Sequence, residues 1–123
     1  MSEAAKRKDR PGDQPLPAPN DGPSMHDLVC ADLWRDGAAG KLEDAVIADL
    51  QARSQLGLDR YGSLLQAHNG RDALLDLYEE LQDAVVYARQ VREEGREDPG
   101  AVRRMYIELL LMLLRVRSLR DER

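Results

Sequence analysis

The stretch YEELQDAVVYARQ, residues 78–90, places Glu79, Glu80 and Asp83 close together in a run of strong helix formers. At about 100° per residue, Asp72, Asp76, Glu79, Glu80 and Asp83 fall on one face of a helix. Carboxylates three and four positions apart converge and repel one another, and a divalent cation relieves that repulsion. Mg²⁺ suits such oxygen ligands and keeps waters that can face a phosphate. The same pattern also describes the solvated face of an ordinary amphipathic helix. Both readings stand at this point.

A second charged pair lies upstream. In the segment before the glycine-rich stretch at 57–70, Leu42, Ala45, Val46, Leu50 and Leu56 form an apolar side, and Asp49 and Arg53 project into the same arc. An inward charge needs a partner. Either Asp49 and Arg53 pair with each other one helical turn apart, or Asp49 joins the acidic stripe as a metal ligand and Arg53 meets an anion. Other chemistries lack their residues. The chain has two histidines, His26 and His68, and the single Cys30, so no zinc-ligand spacing exists. Neither a nucleophile elbow nor a phosphate-cradling GxxxxGK[ST] loop occurs.

These side chains have to be positioned by helices. Aromatic residues are 4% and phenylalanine is absent, against 33% charged residues in a chain of 123, a balance that excludes a β-sandwich. Residues 1–23 hold five of the six prolines and show no apolar periodicity, and so read as a disordered tail. The remainder, 24–121, reads as a single helical domain. Ser24 caps a first helix to about Trp34, and a second spans residues 41–56. Residues 57–70 read as loop with one helical turn at 63–67, followed by Asn69 as a cap. A third helix spans 71–94 and stops at Gly95, and a fourth starts around Pro99 and reaches about Leu119. Four helices with short connections predict an all-α protein, an antiparallel four-helix bundle.

On the third helix, Leu74, Leu77, Tyr78, Leu81, Val85 and Ala88 form the expected core stripe. The fourth is apolar almost all round, from Met105 to Leu114, with Glu108 accounted for by Arg104 and Arg115 on the same strip. The short first helix offers only Leu28, Val29, Leu33 and Trp34 as cover, so completion by a homodimer or higher homo-oligomer is expected, with Leu110, Leu111 or Leu114 in the interface. A net charge of −5 argues against duplex nucleic acid as partner. The longest apolar run, residues 109–114, is too short to enter a membrane as a span. One cysteine and no signal-type apolar core point to the reducing cytoplasm.

The residues EELQD followed by VVYARQ resemble the second acidic motif, ExxD, of the MazG-like all-α nucleotide pyrophosphohydrolases, with Glu80 and Asp83 at the motif positions and Glu79 before them. The longer segment from Arg53 to Gln90 is similar to a block found in small phage and actinobacterial proteins. The MazG-like resemblance implies oligomeric four-helix units and a catalytic Mg²⁺ (or Mn²⁺) held by Glu79, Glu80 and Asp83, with Asp76 and Asp49 as further ligands. It also implies cleavage of a nucleoside triphosphate to monophosphate and pyrophosphate by a metal-activated water. In that family the preceding helix carries EExxE, and here Glu43, Asp44 and Asp49 stand in its place at a different spacing. Under the same resemblance Arg53, Arg60, His68 and Arg71 reach phosphate oxygens, Tyr61 stacks on a base, and Asn69 or the Gly70 backbone bonds the nucleotide. Without it, the segment is a turn with solvated arginines. The alternative to the hydrolase is a non-catalytic, homo-oligomeric helical interaction protein.

Overall fold

A computed structural model describes residues 14–36 and 40–123. Four helices follow in order: α1 (Met25–Asp36), α2 (Lys41–Tyr61), α3 (Ala73–Glu94) and α4 (Pro99–Asp121). The described residues are all-helical apart from loops and one isolated antiparallel bridge between Ser24 and Gln66. No helix among them is long and apolar enough to cross a membrane. The chain divides into two compact units, Met1–Arg71 and Asp72–Arg123. Each is a helix pair, α1 with α2 and α3 with α4.

In the first unit, Ser24 caps α1 as the sequence predicts. Its buried hydroxyl accepts from the Asp27 amide at 3.1 Å. The next amide, that of Met25, donates to the Leu65 carbonyl at 2.8 Å, which brings the start of α1 next to the chain just beyond α2 and makes the pair antiparallel. The Cys30 thiol points at the Ile47 carbonyl across the pair, at 3.9 Å.

The loop expected at 57–70 is shorter than predicted. α2 runs through Gly57 to Tyr61 and ends at Gly62, whose φ of 73° is the left-handed conformation that glycine adopts freely. A glycine inside a helix costs about 1 kcal/mol relative to alanine. One glycine flanked by Leu56 and Leu58, with the Gln55 amide reaching Asp59 at 2.9 Å across it, does not stop the helix. The helical turn predicted at 63–67 is absent. Gln66 forms the bridge to Ser24 and donates to the carbonyls of Asn20 and Gly22 at 2.6 and 2.7 Å.

Those contacts also correct the reading of the tail. Asn20 donates to the carbonyls of Ala67 and His68, Ala18 donates to that of Asn69, and Arg71 to that of Pro15. Residues 14–23 are therefore tied to the 65–71 segment by hydrogen bonds across some fifty positions, which no local pattern announces. Residues 1–13 of the expected tail lie outside the described residues.

The second unit is a hairpin whose ends are chemically marked. Asp72 caps α3 by accepting from the Leu75 amide at 3.1 Å, and Asp98 caps α4 by accepting from the Ala101 amide at 2.8 Å, with Pro99 in the first turn. Gly95 closes α3 with φ 67°. The seam is read from side chains at alternating spacings of three and four, the period of packed helices. It holds Leu74, Tyr78, Leu81, Val85 and Ala88 on α3 against Val102, Tyr106, Leu109, Leu113 and Val116 on α4. Leu81, Ala88, Val102 and Val116 are its buried members. Three contacts set the register: Asp72 with Arg123, Tyr78 with Arg117 and Arg120, and Arg92 with Tyr106.

Candidate functional site

Asp76, Glu79, Glu80 and Asp83 lie on the face of α3 turned away from α4, since they project about 160–260° from the buried Leu81. Asp76 and Glu79 are half-buried, Glu80 and Asp83 exposed. The fifth carboxylate of the predicted stripe has another task. Asp72 sits outside the helix as its cap and holds Arg123 through two hydrogen bonds of 2.6 and 2.7 Å. That bidentate guanidinium, and then the Leu75 amide, keep its carboxyl well below the usual carboxylate range. Among the described residues, no three His, Cys, Asp or Glu side chains come together in a metal-holding group.

In the first unit, Asp49 and Arg53 are both exposed on α2. The inward projection predicted for them fails because α2 buries no side chain in its pairing with α1, so its apolar arc is not a closed interior. Arg60 and Tyr61 are exposed at the end of the same helix, Tyr61 at 57%. Asn69 does not cap α3. It is buried, its side-chain oxygen accepts from the Arg71 amide at 3.1 Å, and its carbonyl accepts from Ala18. Arg71 spends its guanidinium on the Pro15 carbonyl at 2.7 Å. His68 takes a positive φ of 57° in the turn. Asn69 and Arg71 thus act within the loop's own hydrogen bonding.

Two further constellations lie in the second unit. A cavity of 240 Å³ opens at the α3–α4 turn between Val91, Pro99 and Val102, with Arg92, Arg103 and Glu97 at its rim. It is smaller than the usual small-molecule pocket of about 300–1,000 Å³, and none of the residues expected to bind metal or nucleotide lines it. At the other end, the guanidiniums of Arg120 and Arg117 lie 5.0 and 5.9 Å from the Tyr78 ring centroid. Hydrogen bonding to Tyr78, and then to Asp121, raises the Arg117 pKa. This cluster and the Asp72–Arg123 pair fasten the open end of the hairpin. Sequence reasoning missed both because their members stand about forty to fifty positions apart.

The most extensive unpartnered feature is apolar. Leu77, Val91, Met105, Met112 and Leu119 are 36–53% exposed. On α3, Leu77, Ala84 and Val91 recur every seven residues, as do Met105, Met112 and Leu119 on α4. Projected about the seam, both lines turn to the same side of the antiparallel pair. One flank of the hairpin is therefore an apolar strip two helices wide. The signal was present in the sequence as a second heptad line beside the core stripe, hidden by the all-round hydrophobicity of α4. Compared with protein-family models, curated proteins and solved structures, the chain matches none.

Proposed function

We propose that this chain is a helical association module that binds another helical surface through the flank of its α3–α4 hairpin. The observation that carries this reading is the seven-residue repeat of exposed apolar side chains along both helices. Heptad-spaced knobs seat between the side chains of a facing helix pair, and contiguous apolar surface left open on one side marks an interaction site. Only four apolar side chains are buried among the described residues. Covering the flank therefore adds substantially to the apolar area removed from water. The test is solution footprinting by peroxide oxidation of Met105 and Met112, with and without Leu77→Glu and Leu119→Glu. Association through the flank protects both methionines in the native chain and exposes them in the variants. Equal oxidation in all forms contradicts it.

A second reading rests on the acidic face of α3, where Asp76, Glu79, Glu80 and Asp83 share one side of a helix. In this reading the chain is a Mg²⁺-dependent nucleoside triphosphate pyrophosphohydrolase. Glu79, Glu80 and Asp83 hold the metal, which lowers the pKa of the attacking water and offsets charge on the leaving pyrophosphate. Pyrophosphate release from a panel of nucleoside triphosphates with Mg²⁺ or Mn²⁺, abolished by Glu80→Gln with Asp83→Asn, supports it. Absence of release from the native chain removes it.

A further inference from the structure

We infer that the occupant of the flank is a second copy of the same hairpin, related by a two-fold axis parallel to the helices, so that two hairpins form one four-helix bundle. The inference rests on the association reading above and specifies its partner. Three arguments carry it: layer matching, charge and area.

The hairpin register puts Leu119 beside Leu77, Met112 beside Ala84, and Met105 beside Val91, as the contacts of Tyr78 with Arg117 and Arg120 and of Arg92 with Tyr106 require. A two-fold parallel to the helices stacks α3 of one copy on α4 of the other at the same height. Leu77 then meets Leu119, Ala84 meets Met112 and Val91 meets Met105 a second time across the interface. The result is three layers of four side chains, with the small Ala84 always opposite the long Met112. Alternation of large and small residues is what lets facing helices interdigitate.

Side-chain size selects this axis over the other one that would stack the two flanks, and charge is complementary across it. Outside the apolar line, α3 carries Glu80, Tyr87 and Glu94, also seven apart, and α4 carries Arg104, Glu108 and Arg115. With the axis parallel to the helices, Glu80 faces Arg115, Glu94 faces Arg104, and the Tyr87 hydroxyl faces the Glu108 carboxylate. With the axis perpendicular to them, α3 lies on α3, Ala84 meets Ala84 and Met112 meets Met112, so that small and large residues no longer alternate. Tyr87, 66% exposed in the chain as described, gains a cover and a hydrogen-bond acceptor.

The area suffices for a stable pair. Helices of 22 and 23 residues are about 33 Å long at 1.5 Å per residue, and two helices about 9 Å apart present a strip close to 18 Å wide. Each copy thus buries about 600 Å², or about 1,200 Å² in total, the lower bound for specific, stable complexes. The face of Ile107, Leu111 and Leu114 is one helix wide and gives about half that. The dimer therefore forms on the flank, and not through the Leu111 and Leu114 face expected from the sequence.

The test is reciprocal charge reversal in the full chain, read by light scattering, with helicity followed by circular dichroism. The native chain is expected at twice its 13.9 kDa mass at micromolar concentration. One variant carries Glu80→Arg and Glu94→Arg, the other Arg104→Glu and Arg115→Glu. Each alone is expected to dissociate at a concentration at least about tenfold higher, and an equimolar mixture to recover the native dimer, because positions 80 and 115, and 94 and 104, then again carry opposite charges across the interface. A native dimer whose variants are not rescued by mixing overturns the two-fold pairing and leaves the association reading in place. A native monomer with Met105 and Met112 open to peroxide overturns the second copy as partner and, by the footprinting criterion above, the association reading with it. A native monomer with both methionines protected shows the flank covered within one chain and overturns both.

Discussion

Replacement of Leu81 by alanine tests the hairpin most directly. Leu81 is 7% exposed and stands in the α3–α4 seam, one turn from Val85 and two turns from Ala88. Truncation to alanine removes three carbons from an apolar setting, about 2.4 kcal/mol at about 0.8 kcal/mol for each. The space left behind adds to this, because Ala88 on the same stripe is too small to fill it, so the expected cost is about 3 kcal/mol. A unit of this size has stability on the order of 5 kcal/mol, and the variant should unfold at less than half the native urea midpoint, measured by circular dichroism at one fixed protein concentration. The comparison is Leu114→Ala, on the far side of α4 and 66% exposed, where the loss should stay below about 0.5 kcal/mol. Equal destabilisation by the two substitutions would refute the seam and the register built on it.

Gly57 and Gly62 should respond in opposite directions to alanine. Gly57 lies inside α2 with nothing within 4 Å of an added Cβ, so Gly57→Ala gains about 0.5–1 kcal/mol, whereas Gly62→Ala, at φ 73°, loses about 1 kcal/mol; paired urea titrations read both. The carboxyl of Asp72 is depressed in the folded chain, so its contribution is fully present above the unfolded pKa of about 4 and is lost as pH falls through the folded value. Native and Asp72→Asn chains should therefore differ in thermal stability at pH 7 and converge at the acid end of a pH series; a constant difference down to pH 2 counts against the Asp72–Arg123 pair. If the acidic face of α3 holds a cation, millimolar Mg²⁺ raises the Tm beyond the effect of NaCl at matched ionic strength, and Glu80→Gln with Asp83→Asn abolishes the increment. A rise that survives the double substitution places the cation elsewhere.

Local chemistry was enough to locate most of the helices. Ser24, Gly95 and Pro99 mark helix ends through hydrogen bonds and backbone conformations that involve a few neighbouring residues, and the structure uses each as the sequence predicts. The carboxylate face of α3 was legible for the same reason, because a helical period assigns faces without reference to any other element. Long-range contacts settled the rest. Asp72 reads as one more acid of the stripe until Arg123, about fifty residues later, claims it. Residues 14–23 read as tail until Gln66 and Asn69 supply partners for their backbone. Leu77 and Leu81 are identical in kind and one turn apart, yet one is 46% exposed and the other buried. A residue's own sequence neighbourhood fixes its direction on a helix, while the position of the neighbouring helix fixes whether that direction meets side chains or water.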